Sequence, residues 1–407
     1  MSDLLDFYMA EGQRLTVDLP QISALRTSAL ADFSRLGFPT RHDEDWKYTA
    51  TDAFIKQRYH ALPGAKNASD RHKNDLPIAV IKQLPPGVIV LSWAEALVLH
   101  AAKIKPYLGQ IATHTHGFLA QNTAMLRDGL FIYLPQGVCL DEPLLLSHWQ
   151  ETAYQASYIR TLIVAESGSQ ATVIEDYQGD ANTPYFTNTL TEVHLGAGAH
   201  LKHYKIQRES PLAYHVGELA VRQTQSSQLD SHSLSLGGKW VRSDTTITLA
   251  EPHASCLMNG IYATAGDQHV DHHTVVKHDV PDCTSDQDYK GMVTGHSRAV
   301  FNGKVVVAVD AQHTEAKQQN KNLLLSSHAE IDTKPQLEIF ADDVVCTHGA
   351  TVGQLDEEAL FYLGTRGIPP LEASRYLVQA FVTDNLNNMA SEPLARWMGA
   401  LLTQHLG

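Results

Sequence analysis

Between residues 129 and 349 long helical periodicity is absent, and short β-branched runs alternate with turn signals that return in a related form. "ESGSQATV", "GAGAHLKH", "AEPHASCL", "TGHSRAVF" and "LSSHAEID" each set a small or turn-forming residue just before a strand of alternating character. Gly168 and Gly198 stand 30 residues apart, and Gly295 and Ser327 stand 32 apart, a spacing that suits one coil of a solenoid. Regular short strands also build sandwiches, but the recurrence favours a parallel β-helix. The expected fold is therefore mainly β.

The flanks read differently. Residues 1–128 read as an N-terminal mixed α/β, largely helical domain, 129–349 as the β core, and 350–407 as a C-terminal helical domain. In "QISALRTSALADFSRLGF" the apolar stripe Ile22, Leu25, Leu30 and Phe33 is stopped by Gly37 and Pro39, as an amphipathic helix would be. "EALVLHAAKI" and "FLAQNTAMLRDG" are further helical patches, and the polar stretch 62–77 reads as a surface loop or linker. After Gly349, Asp356 is placed as an N-cap with Glu357 and Glu358 in the first turn. Leu377 and Phe381, one turn apart, mark a further helix. The simplest role for these helices is a cap over the last, unpaired coil.

Charge narrows the partners. Thirty-one basic against 45 acidic residues give a net charge of −14, which offers no general attraction to nucleic acid or an anionic membrane. No apolar run approaches the roughly 18 residues of a spanning helix, and "MSDLLDFYMAEGQRL" carries acids where a signal peptide has its n- and h-regions. A cytoplasmic protein is expected. The four cysteines form no CxxC, so neither a disulfide framework nor a zinc finger is indicated. No GxxxxGK[ST], GxGxxG or GxSxG occurs, so ATP would have to be bound by another subunit.

Two clusters have the residue types for chemistry. In an extended "DDVVCTHG", Val344, Cys346 and His348 share one face, with Val345 and Thr347 on the other. An imidazolium beside a thiol lowers its pKa and favours a nucleophile or soft metal ligand, but two donors leave a four-coordinate site incomplete. The alternative is a packed cysteine beside a polar neighbour. In "HVDHHTVVKH", His269, Asp271 and His273 share a face that either holds a metal ion, as in a metal-dependent enzyme, or forms a polar ladder on a wet solenoid surface. Cys283 sits among Asp282, Asp286 and Asp288, which disfavour a thiolate, and Cys139 and Cys256 read as core.

"RHDEDWKYT", "DHHT", "YKG", "FNGKVVV", "DAQHTEAKQQNKNLLLS" and "DTKPQLEIFADDVVCTHGATVGQLDEEALFYLGTRGI" together resemble the SufB/SufD family of iron–sulfur cluster assembly proteins. The SufD branch is the nearer match, because no cysteine precedes Cys139 and Gly349 follows the histidine where the other branch usually has Glu. The resemblance implies a right-handed parallel β-helix with N- and C-terminal helical domains. It implies a non-enzymatic scaffold, pairing with a SufB-like paralogue through β-helix ends and with a SufC-like ABC ATPase through C-terminal helices. His348 and Cys346 match the positions proposed to meet a transient iron–sulfur cluster at the joint, with the partner supplying further donors. Tyr362, Arg366 and Ile368 fall in the ATPase-docking region. No cluster is expected to stay on the chain alone, ATP enters only through the ATPase, and an open β-helix edge makes a homodimer plausible for the isolated chain. A purely structural β-solenoid adaptor is the third reading.

Overall fold

The computed structural model describes residues 2–15, 19–61 and 75–406. Most of the stretch 62–77, read as a loop, lies outside the described residues. The strands are β1 (His60–Ala61), β2 (Ile89–Ser92), β3 (Leu130–Leu134), β4 (Leu144–Gln150), β5 (Gln155–Ala165), β6 (Gln170–Gly179), β7 (Phe186–Leu195), β8 (His200–Arg208), β9 (Tyr214–Gln223), β10 (Gln228–Ser235), β11 (Trp240–Leu249), β12 (Ser255–Thr264), β13 (His269–His278), β14 (Thr284–Val293), β15 (Arg298–Val307), β16 (Thr314–Leu324), β17 (Glu330–Ile339) and β18 (Val344–Gly353). The helices are α1 (Ser2–Leu15), α2 (Ser23–Leu36), α3 (Trp93–Leu99), α4 (Ala101–Ile104), α5 (Gly117–Ala124), α6 (Glu357–Thr365), α7 (Pro370–Asn387) and α8 (Glu392–Leu406).

From β3 onward odd-numbered strands stack in one sheet and even-numbered strands in the other, so the chain winds as a parallel β-solenoid. Pairing is parallel and residue for residue, except that β2 runs antiparallel to β3 at the start. The register builds columns of like side chains. Ile163, Val193, Val221, Ile247, Val276, Val305 and Leu337 form one aliphatic ladder inside the lumen. Each of its fully buried members contributes about 2 kcal/mol relative to exposure.

A parallel sheet needs both faces covered. The outer face of the odd sheet, with Tyr158, Phe186, Tyr214 and Trp240, is packed by Tyr8, Phe33, Phe38, Trp46, Phe54 and Phe118 of the N-terminal region. The outer face of the even sheet, with Ile174, Tyr204, Leu234, Ile261 and Met292, takes Val378 and Val382 of α7 and Leu394, Met398 and Leu402 of α8. Lys290 Nζ donates to the Phe381 carbonyl at 2.7 Å and Asn385 Nδ2 to the Asp288 carbonyl at 2.8 Å, fixing α7 to β14. The C-terminal helices therefore lie along the side of the solenoid. Among the described residues no cap covers its end, where one was expected: β17 and β18 are half-exposed or exposed at every position.

One corner of the coil is left-handed in successive turns. Gly137, Gly168, Gly198, Ser226, His253, Asp282 and His313, each at a passage from the odd to the even sheet, have positive φ. Glycine adopts this region without strain, yet the later coils use residues that must be held there by neighbours. At His313, for example, the ring lies between Asp282 Oδ1 at 3.0 Å and Asp343 Oδ2 at 3.3 Å, from the coils on either side.

Candidate functional site at the open end of the solenoid

The last coil places Cys346 and His348 on the lumen face of β18. Cys346 sits over Ala316 and packs with Val305, Val307, Ala311 and Ala341. Its half-burial pushes the thiol pKa up, against a smaller opposing effect of the Ala316 backbone. The activated thiolate expected beside an imidazole is therefore not what this coil provides. His348 sits over Gln318 and is exposed, because no further coil covers it. The two side chains thus share a face, as strand alternation requires, and face an open lumen.

Both sheets end uncovered here. Glu330 N–H donates to the Ser297 carbonyl at 3.1 Å and Phe340 N–H to that of Val307 at 3.0 Å, so even-numbered backbone groups of β17 face β15 and odd-numbered ones face outward. Pro335 falls on the outward side, so its missing N–H costs the ladder nothing and leaves one gap in the free edge. Phe340 (61%), Val345 (67%) and Val352 (47%) are exposed around this end.

The face of His269, Asp271 and His273 is built for a different purpose. It is not a wet ladder, because the segment containing Trp46 and Thr49 lies over it. Arg242 Nη1 donates to Asp271 Oδ2 at 2.7 Å and to the Asp45 carbonyl at 2.8 Å, while Nε donates to Asp244 Oδ1 at 2.8 Å. The guanidinium lies 4.5 Å from the Trp46 ring centroid. Thr49 Oγ1 donates to Asp271 Oδ2 and pairs with His269 Nε2 at 3.0 Å, and His273 Nε2 lies 3.1 Å from Asp271 Oδ1. Burial acts to raise the Asp271 carboxyl, but Arg242 and His273 override it and hold it well below the usual range. A guanidinium thus stands where the metal reading needs an ion. Among the described residues no group of three or more His, Cys, Asp or Glu side chains is arranged to hold one.

The remaining cysteines divide. Cys256 and Cys283 are buried and their thiols are pushed up by burial. Cys139 is exposed beside Gln170, where core had been expected; it lies in the connection from β3 to β4, in an isolated bridge.

On the C-terminal side, Asp356 caps α6 by accepting from Glu358 and Ala359 N–H at 2.9 and 3.2 Å. Tyr362 is exposed, Arg366 Nη2 donates to its hydroxyl at 3.3 Å, and Ile368 is half-buried. Sequence reading missed their larger neighbours: Phe361 (75%), Leu371 (63%) and Tyr376 (47%) extend an exposed apolar patch. The signal was available, since the run Leu360, Phe361, Tyr362, Leu363 puts apolar residues on more than one face of α6, a helix with no buried residue.

Among the described residues the chain is thus a parallel solenoid with one uncovered end, helices along both flanks and a thiol–imidazole pair in the last coil. The chain matches "SUF system FeS cluster assembly, SufBD core domain" over residues 148–381 and "SufBD protein N-terminal region" over 1–76 and 71–146. It is similar to the iron–sulfur cluster assembly protein SufD of Escherichia coli, with 32% identity over 93% of this chain and 91% of that one. It also resembles an iron–sulfur cluster assembly SufBD family protein of Synechocystis, at 30% identity over 90% and 86% of the two chains. A chloroplastic protein of Arabidopsis thaliana follows at 28% identity over 88% and 81%. The chain belongs to the SufBD family of iron–sulfur cluster assembly proteins.

Proposed function

We propose that this chain is a non-enzymatic, SufD-like scaffold subunit. Its open coil meets a SufB-like paralogue, and its α6 region docks a SufC-like ATPase. One observation carries the reading: both sheets stop uncovered at the same end, and the last coil presents Cys346 and His348 toward the lumen there. Two donors make half of a tetrahedral site, so the nascent cluster, as cargo, would be completed by donors from across the joint. The raised Cys346 thiol adds a requirement, because a proton must leave before sulfur can ligate. The exposed side chains of Phe361, Tyr362 and Leu371 offer the ATPase apolar contacts, with Arg366 bonded to the Tyr362 hydroxyl and Ile368 two residues beyond it.

The test measures iron and acid-labile sulfide after anaerobic reconstitution of the chain alone and with its SufB- and SufC-like partners, for wild type and His348→Ala. The reading expects cluster only in the complex, reduced by His348→Ala with assembly intact. Cluster content unaffected by that substitution would reduce the open coil to a structural joint.

A further inference from the structure

Directly beneath His348 the lumen contains an amide that the fold leaves unused. Gln318 is the in-register neighbour of His348 on β16, is fully buried, and has no hydrogen-bond partner for either Oε1 or Nε2. Such groups are rare and costly, because burial removes water that nothing replaces. The adjacent side chains do not share this fate: Asn320 donates to the Tyr262 hydroxyl and the Tyr289 carbonyl, each at 3.1 Å, and accepts from Thr333 at 2.8 Å. The space for the Gln318 side chain is also specific. A Cβ on Gly303, across the lumen, would stand 2.2 Å from Gln318 Nε2, so a glycine is required for the amide to lie there. One coil below, Gln287 Oε1 accepts from Thr274 at 2.8 Å while its Nε2 is also unpartnered.

We infer that Gln318 is a positioning residue for His348: once a partner covers the last coil, its Oε1 accepts the N–H of one ring nitrogen and directs the other nitrogen out of the lumen as a ligand. The inference rests on the proposed role of His348. Neighbouring strands are about 4.8 Å apart, so an amide and an imidazole in register on the same face meet without backbone movement. Histidines that ligate metals are commonly fixed in this way through their second nitrogen, and losing that partner typically weakens metal binding by about 10–100-fold. Orphaned in the isolated chain, the amide becomes satisfied in the assembled one.

Gln318→Leu and Gln318→Glu distinguish this role from packing. In the chain complexed with its SufB-like partner, ¹⁵N-labelled histidine spectra should show one His348 tautomer in wild type, a mixture in Gln318→Leu, and recovery of one form in Gln318→Glu, which keeps the acceptor. After reconstitution with ferrous iron and sulfide, the iron affinity of Gln318→Leu should fall at least about tenfold. The thermal midpoint of the isolated Gln318→Leu chain should be unchanged or higher, since an unsatisfied amide has been removed. An unaltered tautomer in Gln318→Leu, or a lower midpoint for the isolated chain, overturns the inference. His348→Ala with undiminished iron would overturn the proposed cluster role instead, and the tautomer spectra of wild type and Gln318→Leu would still decide on Gln318.

Discussion

Arg242 Nη1 reaches Asp271 Oδ2 at 2.7 Å from one coil to the next, and the same nitrogen reaches the Asp45 carbonyl at 2.8 Å. One guanidinium therefore joins β11, β13 and the N-terminal segment. Removing one member of a buried ion pair leaves the other charge uncompensated, which typically costs about 3–5 kcal/mol. Arg242→Met should destabilise the chain by that amount in urea unfolding. Arg242→Met combined with Asp271→Leu should recover part of the loss. A single-variant cost under about 1 kcal/mol, the range of an exposed pair, would show that the pair is not buried in solution.

Acid should weaken the fold in two stages. Burial pushes His272 down to about 3 and His232 and His278 down to about 4, against about 6.5 in an unfolded chain. Between those values the unfolded chain binds more protons, so stability falls as pH falls, by up to about 1.4 kcal/mol per pH unit for each histidine. The carboxylate contribution comes later. Burial acts to raise Glu175, but its His203 partner brings it down to about 2, and Asp271 is also depressed, so their stabilisation is present above about pH 4 and is lost below it. Urea midpoints at pH 8, 6.5 and 5 should decline mainly over the last interval; a flat profile would contradict the neutral, buried state of these rings.

Pro335→Ala restores an N–H on the outward side of β17. The free edge then gains a donor, and self-association of the isolated chain should increase, because a continuous edge is a better template for another strand. Sedimentation of matched wild-type and variant samples over a concentration series provides the check. Equal dimerisation would mean that the edge pairs through β18 or not at all.

Phe361→Ser and Tyr362→Ser act on exposed surface, so the thermal midpoint should move little, within the range of ordinary surface substitutions. Affinity for the SufC-like ATPase should drop by tenfold or more if these aromatics anchor the contact. Titration calorimetry on the intact chain would reveal unchanged binding, which would place the docking face elsewhere.

The solenoid was legible because strand alternation and corner turns are local. Its period was blurred for two physical reasons. The corner from the odd to the even sheet begins with glycine at 137, 168 and 198 but continues with Ser226, His253, Asp282 and His313, whose left-handed backbone depends on neighbouring coils. Gly295, counted with Gly168, belongs instead to the opposite corner, between β14 and β15. At the site, the shared face of Cys346 and His348 followed from a period of two. Their partners did not: Gln318 lies 30 residues away, and the Arg242–Asp271 pair joins positions 29 apart. Register sets these distances, and register is a property of the stacked coils.

That register has a mechanical consequence for any strand that lays itself against β18. A shift of one residue turns every inward side chain outward, whereas a shift of two restores the facing. The joint is keyed like a toothed coupling, engaging only at alternate steps. Cys346 and His348 occupy two successive teeth, and a strand docked there has the facing of its side chains, inward or outward, decided by the parity of its register.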